Sequence, residues 1–190
     1  MHKSSATLLF IRGIPGSGKS FLATELLKSL NNVVLLDPDT IDFNDPEYVT
    51  FSKELTNDNL DVIIHPFRWL RKKACESVKP GALIIWNQPF TNRGVFDRLV
   101  NFIQNEADKK NVAVHVLVLE VDVTQEVAYE RILSRISAGG HGPTKKTFAS
   151  RATDYVSFED GYDTLHLDGT TDVQILAKKV HKYLQTNYAV

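Results

Sequence analysis

Gly13-Ile14-Pro15-Gly16-Ser17-Gly18-Lys19-Ser20 is the stretch on which the reading of this chain turns. It matches in full the pattern G-x-x-x-x-G-K-[ST], a glycine-rich loop that folds around phosphate. Its neighbours supply the required context. Ala6 to Ile11 is an apolar run that reads as a buried strand, and from Lys19 to Leu30 the apolar residues Phe21, Leu22, Leu26, Leu27 and Leu30 fall at helical spacing. Strand, loop and helix thus follow one another in the order a phosphate cradle demands.

The residue types suit that chemistry. A tight turn that aims several backbone N–H groups inward needs positive φ and no Cβ in the way, which Gly13, Gly16 and Gly18 allow. The helix behind the loop adds the partial positive charge of its N-terminus. Lys19 is placed to reach phosphate oxygens as a compact charge, and the Ser20 hydroxyl to ligate Mg²⁺. Gly13, Pro15, Gly16, Ser17, Gly18, Lys19, Ser20 and Phe21 are therefore the expected nucleotide contacts. The plainer alternative is a glycine-rich turn with a surface lysine.

Length and composition bound what the rest can be. At 190 residues the chain is expected to be one domain, residues 1–190, large enough to bury a sizeable core. Lys+Arg 22 against Asp+Glu 23 leaves a formal net charge of -1, which gives no global attraction to nucleic acid or to an anionic membrane. Cys75 is the single cysteine, so no internal disulfide framework exists and a reducing compartment is the simplest setting. The basic start Met1-His2-Lys3 before an apolar run superficially resembles a signal peptide, but Arg12 and the glycine loop cut that run short. No stretch has the length to span a bilayer. A soluble cytoplasmic protein is expected, with its oligomeric state left open.

Outward from the loop, strands alternate with helices. Val33 to Leu36 is a second strand that ends in the acidic turn Asp37-Pro38-Asp39, and Pro38 keeps both carboxylates off the ladder, at the carboxyl end of the strand. In an open α/β sheet ligands bind at that edge. Residues 44–61 are polar and poorly periodic and read as a mobile, partly helical substrate-side segment. Pro66 opens a helix that Pro80-Gly81 ends, a strand follows over Ala82 to Trp86, and Gly94 to Lys110 is an amphipathic helix. Val112 to Val121, the longest apolar run, reads as a central buried strand, with His115 a satisfied core residue. Thr124 caps a further helix that ends at Ala138-Gly139-Gly140-His141-Gly142-Pro143. A short helix near Lys146 to Tyr155, a strand over Asp163 to Leu167 and a helix over Asp172 to Leu184 complete a three-layer α/β fold with a mostly parallel sheet of about five strands.

With these elements in place the chain resembles the small P-loop kinases, and among them the zeta-toxin-type kinases, polynucleotide 5′-hydroxyl kinases and small-molecule ATP-dependent kinases. The resemblance implies an AAA-type ATP-binding domain that uses ATP and Mg²⁺, with a lid at about residues 136–152 hinged on the glycines. It implies that Asp39, the second acid of Leu36-Asp37-Pro38-Asp39-Thr40-Ile41, is the base that takes the substrate hydroxyl proton, while Asp37 holds a metal-bound water or caps its own turn. Arg131 and Arg135, four apart on one helix face, become lid arginines that neutralise the transferring phosphoryl group. Lys145, Lys146 and Arg151 offer further cations beyond the hinge. Each has a plainer reading as part of a solvated basic face. Arg68, on the helix His65 to Ala74, is a candidate substrate contact or simply a surface residue.

One departure stands out. Where relatives carry an acidic residue after the third strand, this chain has Asn87-Gln88. An amide can bond a metal-bound water but brings no charge. Asn87 and Gln88 could instead read substrate hydroxyls, with Arg93 binding an acidic group. The histidines lack metal-ligand spacing, and no hydrolase triad or nucleophile elbow is present. Three functions remain: a kinase acting on a hydroxyl of a small molecule such as a nucleoside, sugar or nucleotide-sugar; a nucleic-acid 5′-hydroxyl kinase, against which the balanced charge argues; and a nucleotide-binding regulatory module with little catalysis.

Overall fold

A computed structural model describes residues 4–158 and 160–188, so the N-terminal Met1-His2-Lys3 lies outside it. The five strands are β1 (Ser4–Arg12), β2 (Val33–Leu36), β3 (Leu83–Asn87), β4 (Val112–Asp122) and β5 (Asp163–Asp168). All pair in parallel in the order β2-β3-β1-β4-β5. The helices are α1 (Lys19–Ser29), α2 (Pro46–Asn57), α3 (His65–Ser77), α4 (Arg93–Lys109), α5 (Gln125–Ser137), α6 (Lys145–Thr153) and α7 (Val173–Tyr188). No helix among the described residues is long and apolar enough to cross a membrane.

Alternation along β1 builds both cores. Successive side chains of a strand point to opposite faces, so Leu8 and Phe10 pack with α3 and α4 on one side, while Leu9 and Ile11 pack with α1 and α7 on the other. A strand covered on both faces must be apolar throughout, which is why β1 reads as a continuous run. The first core is rich in aromatics: the Phe10 ring lies 4.6 Å from Phe96, 5.3 Å from Phe90 and 6.0 Å from Trp86. A third, smaller cluster joins Ile14 of the glycine loop to Ala128 and Ile132 of α5 and to Phe148 and Ala152 of α6.

Two expectations need correction. β1 holds the centre of the sheet, with β3 on one side and β4, itself an interior strand, on the other. β5 begins its pairing only at Leu117, so the first half of β4 runs past its outer neighbour and His115 is exposed there, against the Tyr188 ring, rather than buried in the core. The segment 44–61 also has more structure than its weak periodicity suggests. Asp45 caps α2 by accepting from the N–H groups of Glu47 and Tyr48, Pro46 occupies the first turn, and Tyr48 and Phe51 pack on Trp69 of α3. The Asn44-Asp45-Pro46-Glu47 start was a readable cap signal.

Candidate active site

Gly13 to Gly18 turn the chain from the central strand into α1, directly at the carboxyl edge of the sheet. Ser17 N–H donates to the Ile14 carbonyl at 3.1 Å and closes the bend. Gly16 (φ 85°) is required twice over, because a Cβ there would lie 2.3 Å from the Ala128 carbonyl oxygen of α5. A Cβ on Gly13 would meet Ser17 Oγ at 2.5 Å. That hydroxyl is itself fully buried and lacks a hydrogen-bond partner among the described residues. Phe21, in the first turn of α1, is 77% exposed.

Lys19 donates to the Ile14 carbonyl at 3.0 Å, which folds its ammonium back over the loop. Burial pushes its pKa down to about 8, against the pull of Asp37 and Asp39; the Arg135 charge adds to the depression. Lys19, both carboxylates and Arg135 are thus within electrostatic reach of one another, although α5 and the second strand are far apart in sequence.

Across from the lysine, Asp37 is buried and accepts from the N–H of Asp39 at 2.9 Å, which shapes the turn Pro38–Thr40. Asn87, the last residue of β3, lies in register beside Ile11 of β1. Its amide Nδ2 donates to Asp37 Oδ2 at 2.5 Å and to Ser20 Oγ at 3.1 Å, so one side chain ties the second strand to the glycine loop. Its own Oδ1 is buried without a partner among the described residues. Asp39 is exposed beside this group. No group of three or more His, Cys, Asp or Glu gathers among the described residues. What gathers instead is a hydroxyl, one carboxylate and an orphaned amide oxygen. That set fits Mg²⁺, a hard cation held by one or two carboxylates together with waters and substrate phosphates.

Sequence reasoning missed the most deeply buried charges. Arg12 and Glu120 are register partners on β1 and β4, both fully buried, and form a direct ion pair. Arg12 also donates to the carbonyls of Pro89 (3.0 Å), Phe90 (3.0 Å) and Val156 (2.9 Å), and its guanidinium lies 3.3 Å from the Phe158 ring centre. Glu120 in turn accepts from the Tyr155 hydroxyl and from Phe158 N–H. Burial, reinforced by the Glu120 charge, raises the Tyr155 phenol's pKa well above its usual value. The signal was present as two opposite charges inside apolar runs, each of which looked like an interruption.

The other basic candidates separate. Arg131 donates to the Ser17 carbonyl at 3.2 Å and to the Gly169 carbonyl at 2.9 Å, so it braces the outside of the loop against the turn between β5 and α7. Arg135 is exposed one helical turn further on. Arg93 is held by Asp97 at 2.7 Å and by the Asp160 carbonyl at 2.6 Å, beside the rings of Phe158 and Tyr162. Arg68 is partly exposed in the first turns of α3, and no hydrogen bond or ion pair joins it to the loop. Gln88 accepts from the Trp86 indole N–H at 3.0 Å. Beside the glycine loop, a cleft of about 260 Å³ opens between Ile14 and Pro15, residues 88–92, Val95 of α4, and Arg151 and Tyr155.

This arrangement, with a P-loop at the centre of an all-parallel sheet and carboxylates converging on its serine and lysine, is that of a P-loop kinase fold. The AAA domain family matches residues 8–153, and the chain belongs to it. Among solved structures the chain is similar to a provisionally assigned kinase from Chloroflexus aurantiacus, at 18% identity and TM-score 0.69, over 97% of this chain and 99% of that one. It is similar to a sugar kinase from Janibacter at 18% identity and TM-score 0.61, over 97% of each chain. A deoxyadenosine kinase from M. mycoides matches at 17% identity and TM-score 0.55, over 94% of this chain and 98% of that one. No curated protein matches the sequence.

Proposed function

We propose that the protein is an ATP- and Mg²⁺-dependent kinase that transfers the γ-phosphoryl group to a hydroxyl of a small molecule, of the nucleoside, sugar or nucleotide-sugar class. The observation that carries this is the Asn87 bridge, which gathers Ser20 and Asp37 at the mouth of the P-loop and leaves Asp39 open beside them. The sugar kinase and deoxyadenosine kinase of the same fold support the reading by analogy.

In this reading the loop N–H groups, Lys19 and the N-terminus of α1 hold the polyphosphate. Asp39 hydrogen-bonds the acceptor hydroxyl, orients its oxygen towards the γ-phosphorus and takes its proton as the new P–O bond forms and the bond to the β-phosphate oxygen breaks. Mg²⁺, held by Ser20 and Asp37 with Asn87 orienting both, would neutralise phosphate charge. Arg135 answers the charge spread over the phosphoryl oxygens, and Arg131 keeps the loop in shape from behind. A lid over about 136–152, hinged at Gly139 and Gly140, would close on the nucleotide. Arg68 and Arg93 are placed at the margin, Arg93 as an internal brace of α4.

Asp39→Asn is expected to abolish transfer from radiolabelled ATP into a metabolite extract while ATP binding persists. Unchanged transfer would remove Asp39 from the role. The neutral Asn87 favours one second reading, a nucleotide-binding module without catalysis. Tight ATP binding with neither transfer nor hydrolysis across a broad acceptor screen would establish it.

A further inference from the structure

The cleft beside the P-loop has two kinds of wall. Ile14, Pro15, Pro89, Phe90, Val95 and Tyr155 line it with apolar surface. Tyr155 contributes its ring rather than its hydroxyl, which is bonded to Glu120. Phe90 is held there at φ 47°, a left-handed conformation that a bulky residue adopts only where its surroundings enforce it, and its carbonyl is fixed by Arg12.

The polar lining is Gln88, Thr91, Asn92 and Arg151, and among the described residues no carboxylate belongs to it. The two amides have their orientation decided by obligate donors: Gln88 Oε1 accepts from the Trp86 indole N–H, and Asn92 Oδ1 accepts from Val95 N–H at 3.0 Å. Their carbonyl oxygens are therefore anchored within the fold, and the amide NH₂ groups are the donors each side chain has left to offer. Arg151, in the last turn of α6, is exposed and has no ion-pair partner among the described residues. A guanidinium and two amide NH₂ groups, with a Thr91 hydroxyl that can donate too and no acid lining the cleft among the described residues, make a donor-rich set, matched by a ligand that offers acceptor oxygens and negative charge.

We propose that this cleft receives the acceptor by an anionic group, a carboxylate or a phosphate, which pairs with Arg151 and the Gln88 and Asn92 amides. The proposal rests on the kinase reading above. A cationic acceptor would meet a guanidinium without a counter-charge, and a neutral polyol would leave that guanidinium unanswered.

The test fills the P-loop first, with a saturating non-hydrolysable ATP analogue and Mg²⁺, so that charged probes cannot report on the nucleotide site. Two matched pairs are then titrated by calorimetry: gluconate against glucose, and adenosine 3′-monophosphate against adenosine. The charged member of at least one pair should bind about tenfold or more tightly than its neutral partner, and which pair does so separates carboxylate from phosphate. With the analogue kept saturating, Arg151→Met should weaken that probe by about 10- to 100-fold and erase the preference for the charged member of the pair, and Arg151→Lys should recover part of both. Melting temperatures of the two variants verify folding.

Equal binding within both pairs, or no binding of either charged probe at about 10 mM, overturns the proposal. So does an Arg151→Met variant that weakens the analogue while the charge preference persists, which would assign Arg151 to the nucleotide. Failure of the kinase reading is visible separately, as wild-type protein that does not bind the analogue at all.

Discussion

Lys19 has to be a cation in a place that resists charge. Desolvation lowers its pKa from 10.5 to about 8, and the neighbouring Asp37 and Asp39 recover only part of the shift. Between those values the unfolded chain carries a proton that the folded one has released, so this residue's effect on stability becomes more favourable as pH rises through the window. Nucleotide affinity moves the other way. The phosphates bind the ammonium, so above pH 8 binding must draw a proton from solution, and ATP affinity should fall by up to about tenfold per pH unit from pH 8 upward. Calorimetry in buffers of different ionisation enthalpy should show proton uptake in that range, and Lys19→Ala should bind more weakly with the slope gone. A flat profile in the wild type would dissociate Lys19 from the phosphates. The loop's glycines, lysine and serine were legible because phosphate geometry constrains residue type and spacing together. The Asn87 bridge was not, since its partners Ser20 and Asp37 lie 67 and 50 positions away along the chain.

Elements are tied together by one buried ion pair. Arg12 ends β1 and Glu120 lies on β4, and between them they fix the loop after β3 through Pro89 and Phe90 and the segment after α6 through Tyr155, Val156 and Phe158. Of these loop members Pro89, Phe90 and Tyr155 line the cleft. Arg12→Met would strand an unpaired carboxylate in the core and is expected to cost about 3–5 kcal/mol in urea unfolding. The double variant Arg12→Met, Glu120→Gln removes the stranded charge and should regain much of that loss. A double variant no better than the single one would show that the carbonyl clamps, not the charge pair, hold these segments. Most helices and strands were readable from apolar spacing and caps, as Thr124 on α5 illustrates. Pairing between strands is a tertiary fact that period alone does not carry, so the register of Arg12 on Glu120 escaped, as did the central place of β1.

Across the whole molecule, β1 is the point where the strand order reverses, with β3 and β2 to one side and β4 and β5 to the other. Ligands of open α/β sheets sit outside the carboxyl ends at such a switch point, and here the P-loop, Asp37, Asn87 and Arg131 reach it from four separate elements. None of that constellation exists in the unfolded chain, so a nucleotide that binds it binds the native state alone and stabilises it by mass action. At about 100 times its Kd the gain is about 2.7 kcal/mol, and for a chain of this size each kcal/mol moves the midpoint by about 2–4 °C. ATP with Mg²⁺ should therefore raise Tm by about 5–11 °C at that concentration. Asp39→Asn, which alters chemistry rather than the cradle, should show the same rise. Gly16→Ala, whose Cβ would press on the Ala128 carbonyl, and Lys19→Ala should each lose most of it. An equal rise in Lys19→Ala would mean that ATP stabilises the fold from some other surface, and the P-loop would no longer be the feature around which this sheet's function is arranged.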